Sequence, residues 1–153
     1  MSRIRSVLVR AHALAAGLTL SGILLAQQSP LTPESIQGAE VIGPQQAQAL
    51  VGKAAFFDMR SAVNFGKGHV KGAVALPYDQ KSELTPDFDA AKDRFDLSRL
   101  PADKSAVVVF YSDGPAGWKS YKAARRAVQA GYTRVKWMRE GTAGWTAKGL
   151  PLE

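Results

Sequence analysis

The sequence contains no cysteine in its 153 residues. Without a thiol the chain forms no disulfide, binds no metal through thiolates and has no cysteine nucleophile. An exported protein without cysteine also needs no oxidative folding step. Only two histidines are present, His12 and His69, and neither belongs to a His, Asp and Glu cluster with metal-ligand spacing. The sequence therefore predicts no metal site and no cofactor.

Acidic residues are also scarce, 13 against 20 lysines and arginines, which gives a formal net charge of +7. Arg3, Arg5 and Arg10 lie in an N-terminal segment that has no acidic residue and that we expect to be removed. Without them the surplus is about +4, and it is scattered along the chain. A scattered surplus of this size, with no RNA- or DNA-binding motif, argues against nucleic-acid binding.

The N-terminal segment has the pattern of an export signal. The basic stretch MSRIRSVLVR precedes AHALAAGLTLSGILLA, which contains no Asp, Glu, Lys or Arg. A helix over this apolar stretch would span roughly 24 Å, less than the roughly 30 Å hydrocarbon core of a membrane. We therefore predict a cleaved signal peptide over residues 1–26 and a periplasmic protein. An uncleaved membrane anchor is the alternative.

Short apolar runs and helical patterns alternate along the rest of the chain. Residues 27–39 are polar and contain Pro30 and Pro33, so they are predicted to form a linker. Residues 40–153 are enough for one domain with its own core. The predicted strands are residues 40–43, 54–60, 73–76, 105–111 and 134–138.

This alternation predicts an α/β fold. Strands that are separated by helices pair in parallel, and the helices cover both faces of the sheet. The run SAVVVFY, residues 105–111, is the strongest strand, because an uncharged β-branched run suits a strand buried on both faces. Residues 79–104 are charged and are predicted to form a long excursion, with a helix near 88–95.

The stretch VVVFYSDGPAGWKS, residues 107–120, predicts a buried strand, a turn and the start of a helix. Such a turn exposes unpaired backbone N–H groups at the positive end of the helix dipole, which suits an anion. Glycines let the backbone approach a ligand closely. The predicted anion-binding loop consists of Ser112, Asp113, Gly114, Pro115, Ala116, Gly117, Trp118 and Lys119. A plain crossover loop that needs glycines for its turn is the alternative.

The predicted helix after this loop is amphipathic. Its apolar face consists of Trp118, Tyr121, Ala124 and Val128. Its other face carries a basic strip, Lys119, Lys122, Arg125 and Arg126. We interpret the strip as solvated surface, because it lies opposite the apolar face.

Three further polar residues follow the strand at 54–60. Asp58 and Arg60 lie at its end, and His69 lies between glycines ahead of the next apolar run. A histidine is a possible general base, but no partner nucleophile is near His69 in the sequence. We therefore predict that all three residues support the loop structurally.

Three segments, in this order and spacing, resemble the rhodanese-like domain family over about residues 40–153. FFDMRSAVNFGKGHVKGAVALPY resembles its first signature, and GYTRVKWMREGTAGWTAKGLPLE resembles its C-terminal signature. VVVFYSDGPAGWKSYKAA resembles its active-site region, most closely that of an exported subgroup reading Phe-Tyr-Cys-x-Gly-Pro-x-Cys-Trp-Lys-Ser-Tyr. The resemblance implies a flavodoxin-like, three-layer α/β sandwich with the catalytic loop at the carboxyl end of a strand.

The resemblance also implies which reaction is missing. Enzymes of this family carry sulfur as a persulfide on one cysteine, held by the N–H groups of the loop. Here Ser112 stands at the position of that cysteine, and Gly117 stands at the subgroup's second cysteine. A serine hydroxyl is too weakly acidic and too hard a nucleophile to cycle a persulfide. Asp113 adds a negative charge beside the anion site.

We therefore expect an inactive homologue that binds a small anion, a sulfur species or a partner protein at residues 112–119. The first alternative is an enzyme that uses Ser112 or Asp113, for sulfur transfer or for hydrolysis. The second is a purely structural interaction module that makes no use of the loop. Contact with a membrane is expected only if the N-terminal segment is not cleaved.

Overall fold

A computed structural model describes residues 28–153 of the chain. The predicted signal peptide or anchor, residues 1–26, lies outside the described residues, so its cleavage and the periplasmic localisation stay predictions. Over residues 28–153, no helix combines the length and the apolar character that a membrane span requires.

Short strands and helices alternate along the described chain. The strands are β1 (Ala39–Val41), β2 (Ala55–Asp58), β3 (Val74–Ala75), β4 (Val108–Tyr111) and β5 (Val135–Met138). The α-helices are α1 (Pro44–Gln48), α2 (Ala62–Gly66), α3 (Trp118–Gln129) and α4 (Gly141–Ala147). Two short 3-10 helices, Ala90–Lys92 and Leu97–Arg99, lie between β3 and β4.

The strands form one parallel sheet in the order β1-β5-β4-β2-β3. Strand β4 is central, and all four of its residues are buried. Successive side chains of a strand point to opposite faces, so Val108 and Phe110 pack with α3 while Val109 and Tyr111 pack on the other side. The predicted α/β class, a parallel sheet with helices on both faces, is confirmed.

Strand β4 begins later than the predicted strand at 105–111, because the residues before it form a turn. The Asp103 carboxylate accepts hydrogen bonds from the N–H and the Oγ of Ser105, at 2.8 and 2.6 Å. The N–H of Ala106 donates to the carbonyl of Asp103. A local side-chain bond of this kind competes with strand pairing.

The predicted helix near 88–95 is wrong. Only Ala90–Lys92 is helical, as a 3-10 helix, and the Asp89 carboxylate caps it by accepting the N–H of Ala91 at 3.0 Å. Contacts between residues that are distant in sequence, and not a helix, stabilise the excursion. Asp79 and Arg94 form an isolated antiparallel bridge within it.

The interpretation of the basic strip as solvated surface is wrong for Lys122, which is fully buried. Its Nζ donates to Ser82 Oγ at 2.6 Å and lies 3.5 Å from Asp93 Oδ2. Asp93 also accepts hydrogen bonds from Tyr78 Oη at 2.9 Å and from Ser82 Oγ at 2.6 Å. Burial lowers the pKa of Lys122, although the nearby Asp93 opposes that shift. This network fastens the excursion onto α3, which sequence spacing on one helix does not reveal.

Part of the segment predicted as a linker packs on the domain. Thr32 and Ile36 are buried, and Ile36 belongs to the core beneath α3. Strand β1 then begins at Ala39 and pairs with β5. We refer to residues 30–36 as the N-terminal strap.

Candidate functional site

The loop after β4, residues 112–117, lies at the carboxyl edge of the sheet, and Ser112 is its innermost residue. The Ser112 side chain is 1% exposed, and its Oγ lies 3.1 Å from Ser120 Oγ. Ser120 Oγ donates its single proton to the carbonyl of Gly117 at 3.0 Å. Ser112 is therefore the donor in the pair, because a hydroxyl carries one proton. Ser120 Oγ also accepts the indole N–H of Trp137 at 3.1 Å.

Gly117 closes the loop directly over this hydroxyl pair. A β-carbon built on Gly117 would lie 2.1 Å from Ser112 Oγ and 2.7 Å from the Gly114 carbonyl oxygen. Both distances are far below van der Waals contact. Only glycine fits at position 117 while the Ser112 side chain points inward.

Helix α4 docks on the other side of the loop. The N–H groups of Thr142 and Ala143 donate to the carbonyls of Ser112 and Asp113, each at 2.9 Å. Gly141 enters the helix with a φ of +56°, and a β-carbon on it would lie 2.4 Å from the Ser112 carbonyl oxygen. The first N–H groups of α4 are thus used to hold the loop itself.

In the predicted anion-binding loop, some backbone N–H groups donate to carbonyls of the loop itself, and others have no acceptor within the described residues. The N–H of Gly117 donates to the Gly114 carbonyl at 2.7 Å, and that of Trp118 donates to the Ala116 carbonyl at 3.0 Å. Other N–H groups here donate to no protein acceptor among residues 28–153. They belong to Asp113, Gly114, Ala116, Lys119 and Ser120. The loop and the start of α3 therefore retain free donors.

A cavity of about 380 Å³ opens beside the loop, with Arg60, Lys67 and Thr142 in its lining. Asp113 also lines it and is the one acidic residue that does so. Lys119, predicted to add charge to the anion site, is not part of this lining. The cavity therefore combines two cations with the carboxylate that the sequence placed there.

Asp58 and Arg60 form a buried ion pair at the end of β2. The Arg60 Nε lies 3.0 and 3.1 Å from the two carboxylate oxygens, and its Nη2 donates to Oδ2 at 2.6 Å. The same Nη2 donates to the carbonyl of Gly68 at 2.7 Å. Burial lowers the pKa of Arg60, but the hydrogen bonds and charge of Asp58 outweigh it and raise the pKa. Burial first, and then the charge of Asp58, raise the pKa of Tyr111.

His69 makes contacts that do not reach Ser112. Its Nδ1 lies 3.1 Å from the carbonyl oxygen of Phe65, and its ring stacks on that of Phe65 with centroids 3.7 Å apart. Its backbone N–H and carbonyl pair with those of Glu153. Within residues 28–153, no group of three or more His, Asp and Glu side chains is arranged to hold a metal.

The N-terminal strap covers the loop from outside, a contact that sequence reasoning missed. Thr32 donates twice to the Pro115 carbonyl, from its N–H at 2.9 Å and from its Oγ1 at 2.7 Å. The indole N–H of Trp118 donates to the Pro30 carbonyl at 2.7 Å. Arg139, after β5, donates to Thr32 Oγ1 at 3.2 Å and to the Thr32 carbonyl at 2.8 Å. Nothing in the sequence of the strap signals this docking.

Comparisons with known proteins agree with this fold. A family model described as the rhodanese-like domain matches residues 43–148, a range that leaves out the N-terminal strap. The uncharacterized protein YibN of Escherichia coli K12 is 31% identical over 116 residues, which cover 74% of this chain and 71% of that protein. A sulfurtransferase of Allochromatium vinosum is 30% identical over 95 residues, covering 62% of this chain and 74% of that one.

Among solved structures, the chain is similar to a thiosulfate sulfurtransferase from Pseudomonas aeruginosa. The TM-score is 0.54 at 20% identity, and the match covers 76% of this chain. The chain spans only about a fifth of the length of that protein. A likeness at this identity supports the fold and does not assign an activity.

Proposed function

Because this chain belongs to the rhodanese-like domain family and is related to sulfurtransferases, we propose that it is a member that binds a small anion without transferring sulfur. The proposed binding site is the loop after β4 together with the cavity beside it. Ser112 stands where the resemblance places the persulfide cysteine, and the chain contains no thiol at any other position either, because it has no cysteine. The predicted signal peptide supports a periplasmic place of action.

The observation that carries the proposal is the inward Ser112 hydroxyl. A serine nucleophile needs a base in contact with its oxygen. Among the described residues, Ser112 Oγ is hydrogen-bonded to Ser120 Oγ alone, and its proton lies in that bond. This arrangement disfavours both sulfur transfer and hydrolysis through Ser112.

Anion binding is supported by the free N–H groups of the loop and by two cations. Arg60 and Lys67 line the cavity; Arg60 is held in place by its ion pair with Asp58, which balances part of its charge, and Lys67 has no ion pair among the described residues. N–H groups at the start of a helix favour negative charge. Asp113 opposes the anion, so the site as it stands is expected to bind weakly. The class of ligand that fits is a small oxyanion such as thiosulfate or sulfate.

A thiosulfate titration of the 15N-labelled protein, followed by amide chemical shifts, tests the binding. We expect shifts at Asp113, Gly114 and Ala116. Replacing one nearby negative charge should tighten binding by about fivefold, since two charges a few ångströms apart interact by about 1 kcal/mol in water. The variant Asp113→Asn should therefore bind thiosulfate more tightly than the wild type.

Asp87→Asn is the matched control, because Asp87 is an exposed acid of the excursion and does not line this cavity. It should leave the affinity unchanged. Loop amides that do not respond to thiosulfate in either variant would overturn the proposal and favour an interaction module. Thiocyanate formation from thiosulfate and cyanide, clearly above that of Ser112→Ala, would instead show an active enzyme.

A further inference from the structure

A second cavity, open and of about 600 Å³, lies at the opposite edge of the sheet, where the strands begin. Lys53 precedes β2, Arg134 precedes β5, and Lys71 comes from the turn before β3; all three line this cavity. Backbone and small apolar side chains, among them Ala55 and Ala106, also line it. The cavity is therefore an open, concave surface of mixed polar and apolar character that carries three cations.

None of these three cations is paired. In the described part of the chain, no carboxylate lies within 4 Å of the side-chain nitrogens of Lys53, Lys71 or Arg134. Asp103 is the one acidic residue of the lining. Its carboxylate is engaged by the Ser105 N–H and Oγ in the turn before β4. The side chains lining the cavity therefore carry a net positive charge.

The cavity is also open to a ligand. Gly52 and Gly72 line it in the left-handed region, with φ of +78° and +74°, and a β-carbon built on either would meet no atom within 4 Å. The Gly72 N–H donates to Glu153 Oε1 at 2.7 Å, but Glu153 is not part of the lining. Among residues 28–153, no atom outside the immediate chain neighbours therefore occupies the space beside these glycines.

We propose that this cavity binds a phosphate group, either of a soluble organic phosphate or of an anionic phospholipid headgroup. Charges of one sign on a concave, low-dielectric surface focus the electrostatic field and raise the local concentration of counter-ions. The Arg134 guanidinium matches a tetrahedral oxyanion through two parallel N–H donors, and Lys53 and Lys71 supply point charges. The apolar part of the lining, which includes Ala55 and Ala106, offers a surface for the carbon skeleton attached to the phosphate.

This site goes beyond the proposed function of the loop. The loop and its cavity lie at the carboxyl ends of the strands, whereas this second cavity lies at their amino ends. The linings of the two cavities share no residue. Loss of binding at one site is therefore distinguishable from loss at the other.

Inorganic pyrophosphate is the first probe, titrated into the purified 15N-labelled protein. We expect amide shifts at Lys53, Gly72 and Arg134. The double variant Lys71→Gln/Arg134→Gln should lose about tenfold or more in affinity, because it removes two of the three attracting charges. The control Lys148→Gln/Arg94→Gln also removes one lysine and one arginine charge, but from exposed residues outside this cavity. It should bind pyrophosphate like the wild type.

Vesicles of phosphatidylglycerol, compared with phosphatidylcholine, separate the two sources of phosphate. The N-terminal apolar segment is identical in both double variants, so its contribution to vesicle binding cancels in the comparison. Binding to phosphatidylglycerol that is weakened only by Lys71→Gln/Arg134→Gln would identify a lipid headgroup. A response to pyrophosphate without such vesicle binding would identify a soluble phosphate. If neither probe distinguishes the two double variants, the proposal is wrong.

Discussion

Ser112 Oγ lies where a side chain at position 117 would have to begin, because a β-carbon built on Gly117 comes within 2.1 Å of it. The two positions are therefore coupled. In the exported subgroup that the loop resembles, both positions are cysteine. Here position 112 is serine, with a small hydroxyl side chain, and position 117 is glycine, with no side chain. An inward serine at 112 and a glycine at 117 are mutually compatible, and together they close the loop without a thiol.

We expect Gly117→Ala to lower the free energy of unfolding by about 2 kcal/mol, the usual cost of forcing an extra methyl into a tightly packed position. Urea unfolding followed by tryptophan fluorescence measures this loss. Gly66→Ala is the matched control, because a β-carbon at Gly66 meets no atom within 4 Å. A similar loss in both variants would show that the contact with Ser112 is not the cause.

Ser112→Cys tests whether the loop supports sulfur transfer once a thiol is present. We expect it to form thiocyanate from thiosulfate and cyanide, which the wild type should not do, because free N–H donors remain around position 112. The rate should be low, since the side chain at 112 is 1% exposed. Ser120→Cys places a thiol at the other member of the hydroxyl pair and should remain inactive. A folded Ser112→Cys variant without turnover would show that the loop has diverged beyond the cysteine.

Asp93→Asn should lower the free energy of unfolding by about 3 kcal/mol, because it leaves the buried Lys122 without its counter-charge. Equilibrium urea unfolding at neutral pH gives the value. Asp87→Asn, an exposed acid with no ion pair among the described residues, should change it little. Equal stability of the two variants would contradict a role for the buried network.

The same carboxylate predicts a pH dependence of stability. Burial alone would raise the pKa of Asp93, but hydrogen bonds from Ser82 and Lys81 outweigh it and lower the pKa from 3.8 to about 2. The folded state therefore binds this proton less readily than the unfolded state. The resulting stability, about 2 kcal/mol, is present above pH 4 and is lost as the pH falls through about 2. Asp93→Asn should lack this part of the acid dependence in urea titrations at pH 2 to 5.

Thr32→Val tests the N-terminal strap. The substitution removes the Oγ1 bond to Pro115 and the acceptor for Arg139 but keeps the backbone N–H bond to Pro115. We expect a loss of about 1 kcal/mol in the free energy of unfolding, with amide shifts at residues 116–119. Thr133→Val, whose hydroxyl makes only a long 3.4 Å contact on the surface, should leave the loop amides in place. Unshifted loop amides in Thr32→Val would contradict a positioning role for the strap.

Much of the architecture is predicted by patterns among residues that lie close together in the sequence. The uncharged run ending in Val108–Tyr111 predicts a buried central strand, and the glycine-containing turn after it predicts a loop at the mouth of the sheet. The sequence also predicts the place of the loop, residues 112–117, after a strand and of Asp58 and Arg60 at the end of another, while their roles stay predictions. Patterns of this kind depend on side-chain periodicity and turn chemistry, which act over a few residues.

Contacts between residues that are far apart in the sequence form only when the chain folds, so local sequence patterns do not predict them. Thr32 meets Pro115 across 83 positions, and Lys122 meets Ser82 across 40. Helical spacing places Lys122 on a polar face, and only the packing of the excursion over that face makes it a buried charge. The Asx turn at Asp103 also replaced the start of the strand expected there. The helix expected near 88–95 ends at Asp93, which is extended and bonded to Ser82.

The absence of a thiol, and with it of any cysteine that could carry a persulfide, follows from the amino-acid sequence without any structure. The inward turn of Ser112 does not, because its hydroxyl is oriented by Ser120 on α3 and, through Ser120, by Trp137 on β5. Composition decides which atoms exist at the site. Packing between elements that are distant in sequence decides where those atoms point.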